Sequence, residues 1–290
     1  MTRKSIAAFA VYIGLAASGW IVQLMSPSSL PRREAEILVL AALVCGAGLA
    51  YMSGRREVRG WAVSPLFGGV LLFFVPSVLM EAVEGGVPQF TRAALLVLVP
   101  AAVLLISAAR EGEGIDLLGL LAACLAGVGG AFLLLPADPA LLLGRPLAGL
   151  ALAAMIASIA LGSYLAHAAT RSRPLRASLL LLLGPSLVLL CLMMALERSP
   201  IVRPSPADAP GLLWGVMSTL LLVYLLREIA PIPFAARYVL VPLVTSLEGF
   251  ASLRPPIGWR MLVGVALLGY GAVRLLVQGG RRADSSLSLL

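Results

Sequence analysis

The sequence AALLVLVPAAVLLISAA at residues 93–109 occurs again, in altered form, as AARYVLVPLVTSLEGFA at residues 235–251. Eight of the 17 positions are identical when the chain is shifted by 142 residues. Four of them, Val97 to Pro100, are consecutive and end on a proline. Chance produces some identities between Leu-rich and Ala-rich segments, but a run of four that ends on a mid-helix proline indicates an internal repeat.

A Gly-rich apolar stretch follows each copy. Gly119 and Val128 match Gly264 and Val273 if the intervening loops differ by three residues. Small residues at spacings of four let helices approach closely in lipid, where the hydrophobic effect does not drive helix association. These stretches therefore predict either close packing within one chain or the contact surface of a homodimer.

The composition excludes an ordinary soluble enzyme. Of the 290 residues, 60% are hydrophobic and 12% are charged, and the mean hydropathy is +0.99. A soluble domain has about 25% charged residues. The net charge of +8 comes from basic residues in short gaps between apolar runs, not from a basic patch with interleaved aromatic residues. This pattern predicts a lipid bilayer as the partner and no nucleic acid.

Charge, proline and glycine divide the chain into ten apolar segments that are each about long enough to cross a bilayer as a helix. Their continuous Leu-rich and Ala-rich runs, without the alternation of barrel strands, predict an all-α membrane protein. The segments are Ser5 to Met25, Ala35 to Ser53, Trp61 to Val83, Pro88 to Ala109, Ile115 to Leu135, Pro146 to Ala169, Arg176 to Leu196, Pro210 to Leu226, Ile232 to Ala251 and Ile257 to Val277.

Ten spans in two repeats of five require the second repeat to enter the membrane from the opposite face. We therefore predict two inverted repeats, 1–136 and 146–280, with a linker at 137–145 and a tail at 281–290. Basic residues number thirteen in the gaps on the N-terminal side, called side A, and eight on the opposite side B. This bias places both termini in the cytoplasm. Inverted repeats are typical of secondary transporters, which bind substrate between the halves near the bilayer midplane.

The sequence resembles the drug/metabolite transporter superfamily, specifically its ten-helix EamA-type members. The stretches that carry the resemblance are Ala94 to Pro100, Ala108 to Glu113, Leu118-Gly119, Ala126 to Val128, Val239 to Pro242, Gly264 and Gly271. The resemblance implies a cavity walled by the first, third, fourth, sixth, eighth and ninth spans.

No motif of an enzyme is present. His167 is the chain's single histidine, and no nucleophile elbow, zinc-binding helix or phosphate loop occurs. The sequence therefore predicts no catalytic residues, no metal site and no cofactor.

Ionisable residues inside spans are the best candidates for function, because a charge at the bilayer centre costs at least about 2.5 kcal/mol and persists where it faces a cavity or a partner. Glu248 and Glu81 are the predicted proton-coupling residues, with exchange and uncoupled transport as open alternatives. Arg237 is a predicted substrate-binding residue. Arg237 and Glu248 are eleven residues, or three helical turns, apart, so they project from one face about 16 Å apart along the axis. The alternative is that Arg237 lies close enough to the side-A interface for its side chain to extend to it, and that Glu248 similarly reaches side B.

Prolines and polar or aromatic side chains complete the predicted site. Pro100 and Pro242 each remove a backbone hydrogen bond in mid-span and are predicted hinges. Stacking surfaces and hydrogen-bonding groups for a substrate are expected from Trp20, Phe74, Ser77, Tyr164, Tyr224, Tyr238 and Thr245, in addition to Arg237.

Together these features predict a secondary transporter that moves a small organic metabolite, such as an amino acid, a nucleoside or a drug-like compound, across the bacterial inner membrane. Two alternatives remain open: a non-transporting accessory protein or flippase component, and a membrane enzyme whose only acidic cluster would be Glu111, Glu113 and Asp116. An accessory protein should have Glu248 and Arg237 paired or at the surface.

Overall fold

The structure, a computed structural model, describes residues 2–27, 29–52, 63–84, 87, 89–111, 116–134, 146–198, 202–254 and 258–287. Within these ranges nearly every residue is helical and none lies in a strand. The predicted linker at 137–145 and the end of the predicted tail, 288–290, lie outside the described residues.

Helices of the first half of the chain are interrupted at several points. They are α1 (Arg3–Ala17), α2 (Gly19–Met25), α3 (Arg32–Met52), α4 (Val63–Gly69), a π-helix (Val70–Phe74), α5 (Val75–Glu84), α6 (Gln89–Leu96), α7 (Val99–Glu111) and α8 (Leu117–Leu134).

The second half has longer helices. They are α9 (Pro146–Thr170), α10 (Leu175–Glu197), a short 3₁₀ turn (Pro206–Asp208), α11 (Ala209–Glu228), α12 (Pro231–Ala235), α13 (Arg237–Leu253) and α14 (Trp259–Leu287). The backbone of α14 continues as helix into the predicted tail.

Eight helical stretches of the described chain are long and apolar enough to cross a membrane. The first predicted span is not one straight helix, because α1 and α2 are bent by 40° at Ser18. The fifth predicted span contains a shorter apolar helix, Leu117–Leu133. The protein is therefore all-helical in its described part, and its long apolar helices are compatible with a multi-pass membrane protein.

Large apolar side chains cover much of the outer surface. Met52 is 83% exposed, Leu147 80%, Leu196 76% and Leu49 70%. Soluble monomers rarely expose such an extent of apolar surface. A surface of this kind matches lipid as the surrounding solvent.

The two stretches of the sequence repeat form matching helix pairs. The α6–α7 pair occupies 89–111 and the α12–α13 pair occupies 231–253, so both ends are separated by the same shift of 142 residues. Helices α8 and α14, which follow, begin at Leu117 and Trp259, again 142 residues apart.

Helices α8 and α14 pack on each other through small residues. A Cβ atom added to Gly129 would lie 2.9 Å from the Gly264 carbonyl oxygen, and one added to Gly271 would lie 2.9 Å from the Ala122 carbonyl oxygen. The 142-residue shift relates these two contacts, because it pairs Gly129 with Gly271 and Ala122 with Gly264. The expected match of Gly264 with Gly119 is therefore wrong, because the segments before α8 and α14 have equal lengths. The close contacts also show that these glycines pack within one chain.

The π-helix is held by two neighbouring helices near its N-terminal end. The Ser186 hydroxyl of α10 donates to the Gly69 carbonyl at 3.1 Å, and the Ser158 hydroxyl of α9 donates to the Leu71 carbonyl. A Cβ atom added at Gly69 would overlap the backbone carbonyl of Leu182. Only glycine at this position allows α10 to pack so closely on the third predicted span.

Gly69→Ala should lower the free energy of unfolding by about 1–3 kcal/mol, because the added methyl group meets backbone that cannot rotate away. The measurement is the thermal unfolding midpoint of the purified protein in detergent. Gly184→Ala on α10 is the matched control, since its Cβ would meet no atom within 4 Å. Equal midpoints for the two variants would contradict the packing argument.

Candidate functional site

Two charged side chains of α13 face the first predicted span from inside the helical bundle. Glu248 contacts residues at the bend between α1 and α2, and Arg237 contacts Tyr12 of α1. We call the first group the Glu248 cluster, formed by Ser18, Trp20, Thr245 and Glu248.

Both carboxylate oxygens of Glu248 accept hydrogen bonds. The Ser18 hydroxyl donates to Oε1 at 2.7 Å, and the Trp20 indole N–H donates to Oε2 at 3.2 Å. Glu248 and Trp20 are both partly buried. Two neutral donors therefore hold this carboxylate inside the protein, and it forms no ion pair with a described residue.

The bend in the first predicted span creates this cluster. At Ser18 the helix loses its regular pattern, and Ile21 N–H donates to the Ser18 carbonyl at 3.0 Å instead of reaching Ala17. The Ala17 carbonyl accepts instead from the Thr245 hydroxyl of α13, at 3.3 Å. Helix α13 thus supplies a donor to the bend as well as the carboxylate that the bend binds.

Arg237 lies in an aromatic enclosure, which we define by Tyr12, Phe234 and Tyr238. The guanidinium carbon lies 4.0 Å from the centre of the Phe234 ring, 4.6 Å from that of Tyr238 and 5.9 Å from that of Tyr12. Nη2 donates to the Tyr238 hydroxyl at 2.7 Å. Arg237 is 4% exposed, so it does not extend to the membrane surface as the alternative expectation required.

The two prolines lie differently in their helices. Pro100 follows the break between α6 and α7 by two residues, as a missing backbone donor would produce. Pro242 lies inside the continuous helix α13, and the break in that stretch is at Ala236. The Ser246 hydroxyl donates to the Pro242 carbonyl at 2.7 Å. The Thr245 hydroxyl, predicted to offer a hydrogen bond to a substrate, donates to the Ala17 carbonyl of α1.

Glu81 is placed in a surface ion-pair network rather than in the bundle. Arg33 of α3 bridges Glu81 of α5 and Glu197 of α10, whose side chains are 49% and 43% exposed. This network lies at the predicted side B. One turn before Glu81, the Ser77 hydroxyl donates to Glu36 at 2.5 Å. Glu36 is not among the predicted site residues, because an acid at the start of a span has the same pattern in the sequence as an interfacial residue.

The other predicted aromatic residues lie outside both the Glu248 cluster and the aromatic enclosure of Arg237. Phe74 ends the π-helix, and Tyr224 packs against the hydrophobic core. The Arg110 guanidinium lies 5.3 Å from the centre of the Tyr164 ring. In the described residues no group of three or more His, Cys, Asp or Glu side chains is arranged to hold a metal ion.

Comparison with known proteins shows a fold relative but no named family. A solved structure described only as "Crystal structure of protein" matches with a TM-score of 0.71 over 97% of this chain and 99% of that chain. The two sequences are 17% identical, so the likeness concerns the fold alone. No protein-family model matches the sequence. No curated protein matches it either.

Thr245→Val should lower the free energy of unfolding by about 1–3 kcal/mol, because it leaves the Ala17 carbonyl without a donor inside the bundle. The measurement is the unfolding midpoint in detergent. Thr219→Val on α11 is the matched control: Thr219 is also partly buried, and its hydroxyl makes no hydrogen bond to a described residue. A midpoint as high as that of the control would show that the Thr245 bond does not support the bend.

Proposed function

We propose that this chain is a ten-helix secondary transporter of the drug/metabolite transporter type, similar to EamA-type members. It would move a small organic metabolite across the bacterial inner membrane by alternating access, with both termini in the cytoplasm. The observation that carries the proposal is the presence of Glu248 and Arg237 on one helix inside an apolar bundle, both facing the bent first span. Charged groups in such positions mark substrate or ion pathways.

The helix contacts support a two-fold relation between the halves. Helix α9, which opens the second half, packs on α4 and α5 of the first half. Its counterpart by the 142-residue shift, α1, packs on α11 of the second half, the counterpart of α4 and α5. Exchanged contacts of this kind are expected of two repeats related by a two-fold axis, and inverted repeats are related in this way.

The ion pairs at side B suggest how the halves would move. Arg33 of the first half binds Glu197 of the second half, and the Ser29 N–H donates to Asp208 at 2.9 Å. These contacts join the halves at side B. In an alternating cycle they would break when the transporter opens to that side, and the breaks near Pro100 and Ala236 would allow the helices to flex.

The accessory-protein alternative receives no support from the two charged residues of α13. It expects the space between the halves to be filled by Leu and Phe, and Glu248 and Arg237 to be paired or at the surface. Glu248 is bound by neutral donors, and Arg237 is buried with no ion pair to a described residue. We therefore propose transport, and we assign no enzymatic chemistry, metal or cofactor to this chain.

Coupling to protons is proposed to use Glu248, because a carboxylate held by two neutral donors can take up a proton without losing a salt bridge. A panel of amino acids, nucleosides, sugars and drugs is first screened for compounds that raise the unfolding midpoint of the purified protein. These compounds then serve as substrates in the uptake assays. In proteoliposomes, Glu248→Gln should reduce uptake driven by a pH gradient at least tenfold, with an unchanged unfolding midpoint.

Glu228→Gln is the control for this experiment, since Glu228 lies at the end of α11 and pairs with Arg227. It should transport as the wild type does. Full gradient-driven uptake by the Glu248 variant would contradict proton coupling at this residue. A folded wild-type protein that is stabilised by none of the compounds and transports none would favour the accessory-protein alternative.

A further inference from the structure

The guanidinium of Arg237 has hydrogen-bonding capacity that the described residues leave unused. Its Nη1 atom is buried and has no hydrogen-bond partner there. The side chain also makes no ion pair with a described carboxylate. A buried cation in this state is energetically unfavourable, because burial removes water and no anion replaces it.

The aromatic enclosure satisfies only part of the hydrogen-bonding capacity of the guanidinium group. The rings of Phe234, Tyr238 and Tyr12 lie within 6 Å of the guanidinium carbon, where their negative faces attract a cation. Rings of this kind do not accept strong hydrogen bonds from N–H groups. The Tyr238 hydroxyl accepts one bond, from Nη2. Nη1 therefore keeps two donors for a group that is not part of the described chain.

Glu248 does not neutralise Arg237. The two residues are three helical turns apart, about 16 Å along the axis, which is beyond the reach of an ion pair. Both oxygens of Glu248 are also already bound by Ser18 and Trp20. The counter-ion of Arg237 must therefore come from outside this pair of residues.

We propose that Arg237 binds an oxyanion group of the substrate, so that the transported compound is a small organic anion or zwitterion. This inference rests on the proposed transport function for its identification of the ligand as a substrate. A carboxylate or a phosphate ester supplies the required oxygen, and both match the guanidinium fork. A cationic compound is excluded from this position by repulsion.

The test measures ligand-induced shifts of the unfolding midpoint with purified full-length protein in Tris chloride, which contains no competing oxyanion buffer. The probes are matched pairs in which only the charge differs: benzoate and benzamide, succinate and succinamide, phenylalanine and phenylalaninamide. Phenyl phosphate and inorganic phosphate form a separate arm. At least one acid should stabilise the wild type, and its amide should not.

Arg237→Met should raise the concentration of that acid needed for half-maximal stabilisation at least tenfold, and Arg237→Lys should give an intermediate value. Arg274→Met is the matched control, because Arg274 also bonds a tyrosine hydroxyl, that of Tyr270 at 3.3 Å, but is more exposed. It should behave as the wild type does. Without ligand, the midpoint of Arg237→Met should be no lower than that of the wild type, whereas a purely structural arginine would lower it.

Several results would overturn the proposal. These are an unchanged anion response in Arg237→Met, equal stabilisation by acids and amides, and no stabilisation by any anion at millimolar concentration. Stabilisation by phenyl phosphate alone would assign the ligand to phosphate esters, and stabilisation by inorganic phosphate alone would exclude an organic substrate. An acid that binds through Arg237 but does not enter proteoliposomes would refute transport and leave the anion site standing.

Discussion

A backbone carbonyl that is released from helical hydrogen bonding inside an apolar bundle must receive another donor, and the packing of this protein depends on that requirement. The bend in the first span exposes the carbonyls of Leu15 and Ala17. The Trp214 indole N–H of α11 donates to Leu15 at 2.9 Å, and Thr245 of α13 donates to Ala17. Donors on two different helices thus hold the irregular segment, which positions both helices against it.

In the third predicted span, backbone carbonyls also accept hydrogen bonds from side chains of other helices. Serine hydroxyls on α9 and α10 donate to carbonyls at the π-helix, and glycines at the contacts let these helices approach the backbone. π-Helical segments are frequent at functional sites. Here the segment lies one turn before Ser77, whose hydroxyl binds Glu36. The irregularities of the first and third spans therefore determine the positions of the polar side chains nearby.

The two charged side chains of α13 lie in different surroundings. Glu248 lies opposite the bend, where Ser18 and Trp20 satisfy both of its oxygens. Arg237 lies three turns away, where aromatic rings cover it and one nitrogen has no acceptor among the described residues. One end of the helix face thus holds a carboxylate with both oxygens hydrogen-bonded, and the other holds a cation that no described anion pairs with. In the proposed transport cycle this asymmetry would separate proton coupling from substrate recognition.

The sequence by itself determined that the chain is helical and apolar enough for lipid, since composition and the length of apolar runs decide both properties. It also indicated the 142-residue shift and identified Glu248 and Arg237 as candidate site residues, because charges and prolines within apolar runs are rare and costly. Only the tertiary structure decided that Glu81 binds Arg33 at the surface, that Glu36 binds Ser77, and that Gly264 pairs with Ala122. These outcomes depend on which helices contact each other and at which positions along their axes. Hydropathy along the chain contains no information about either.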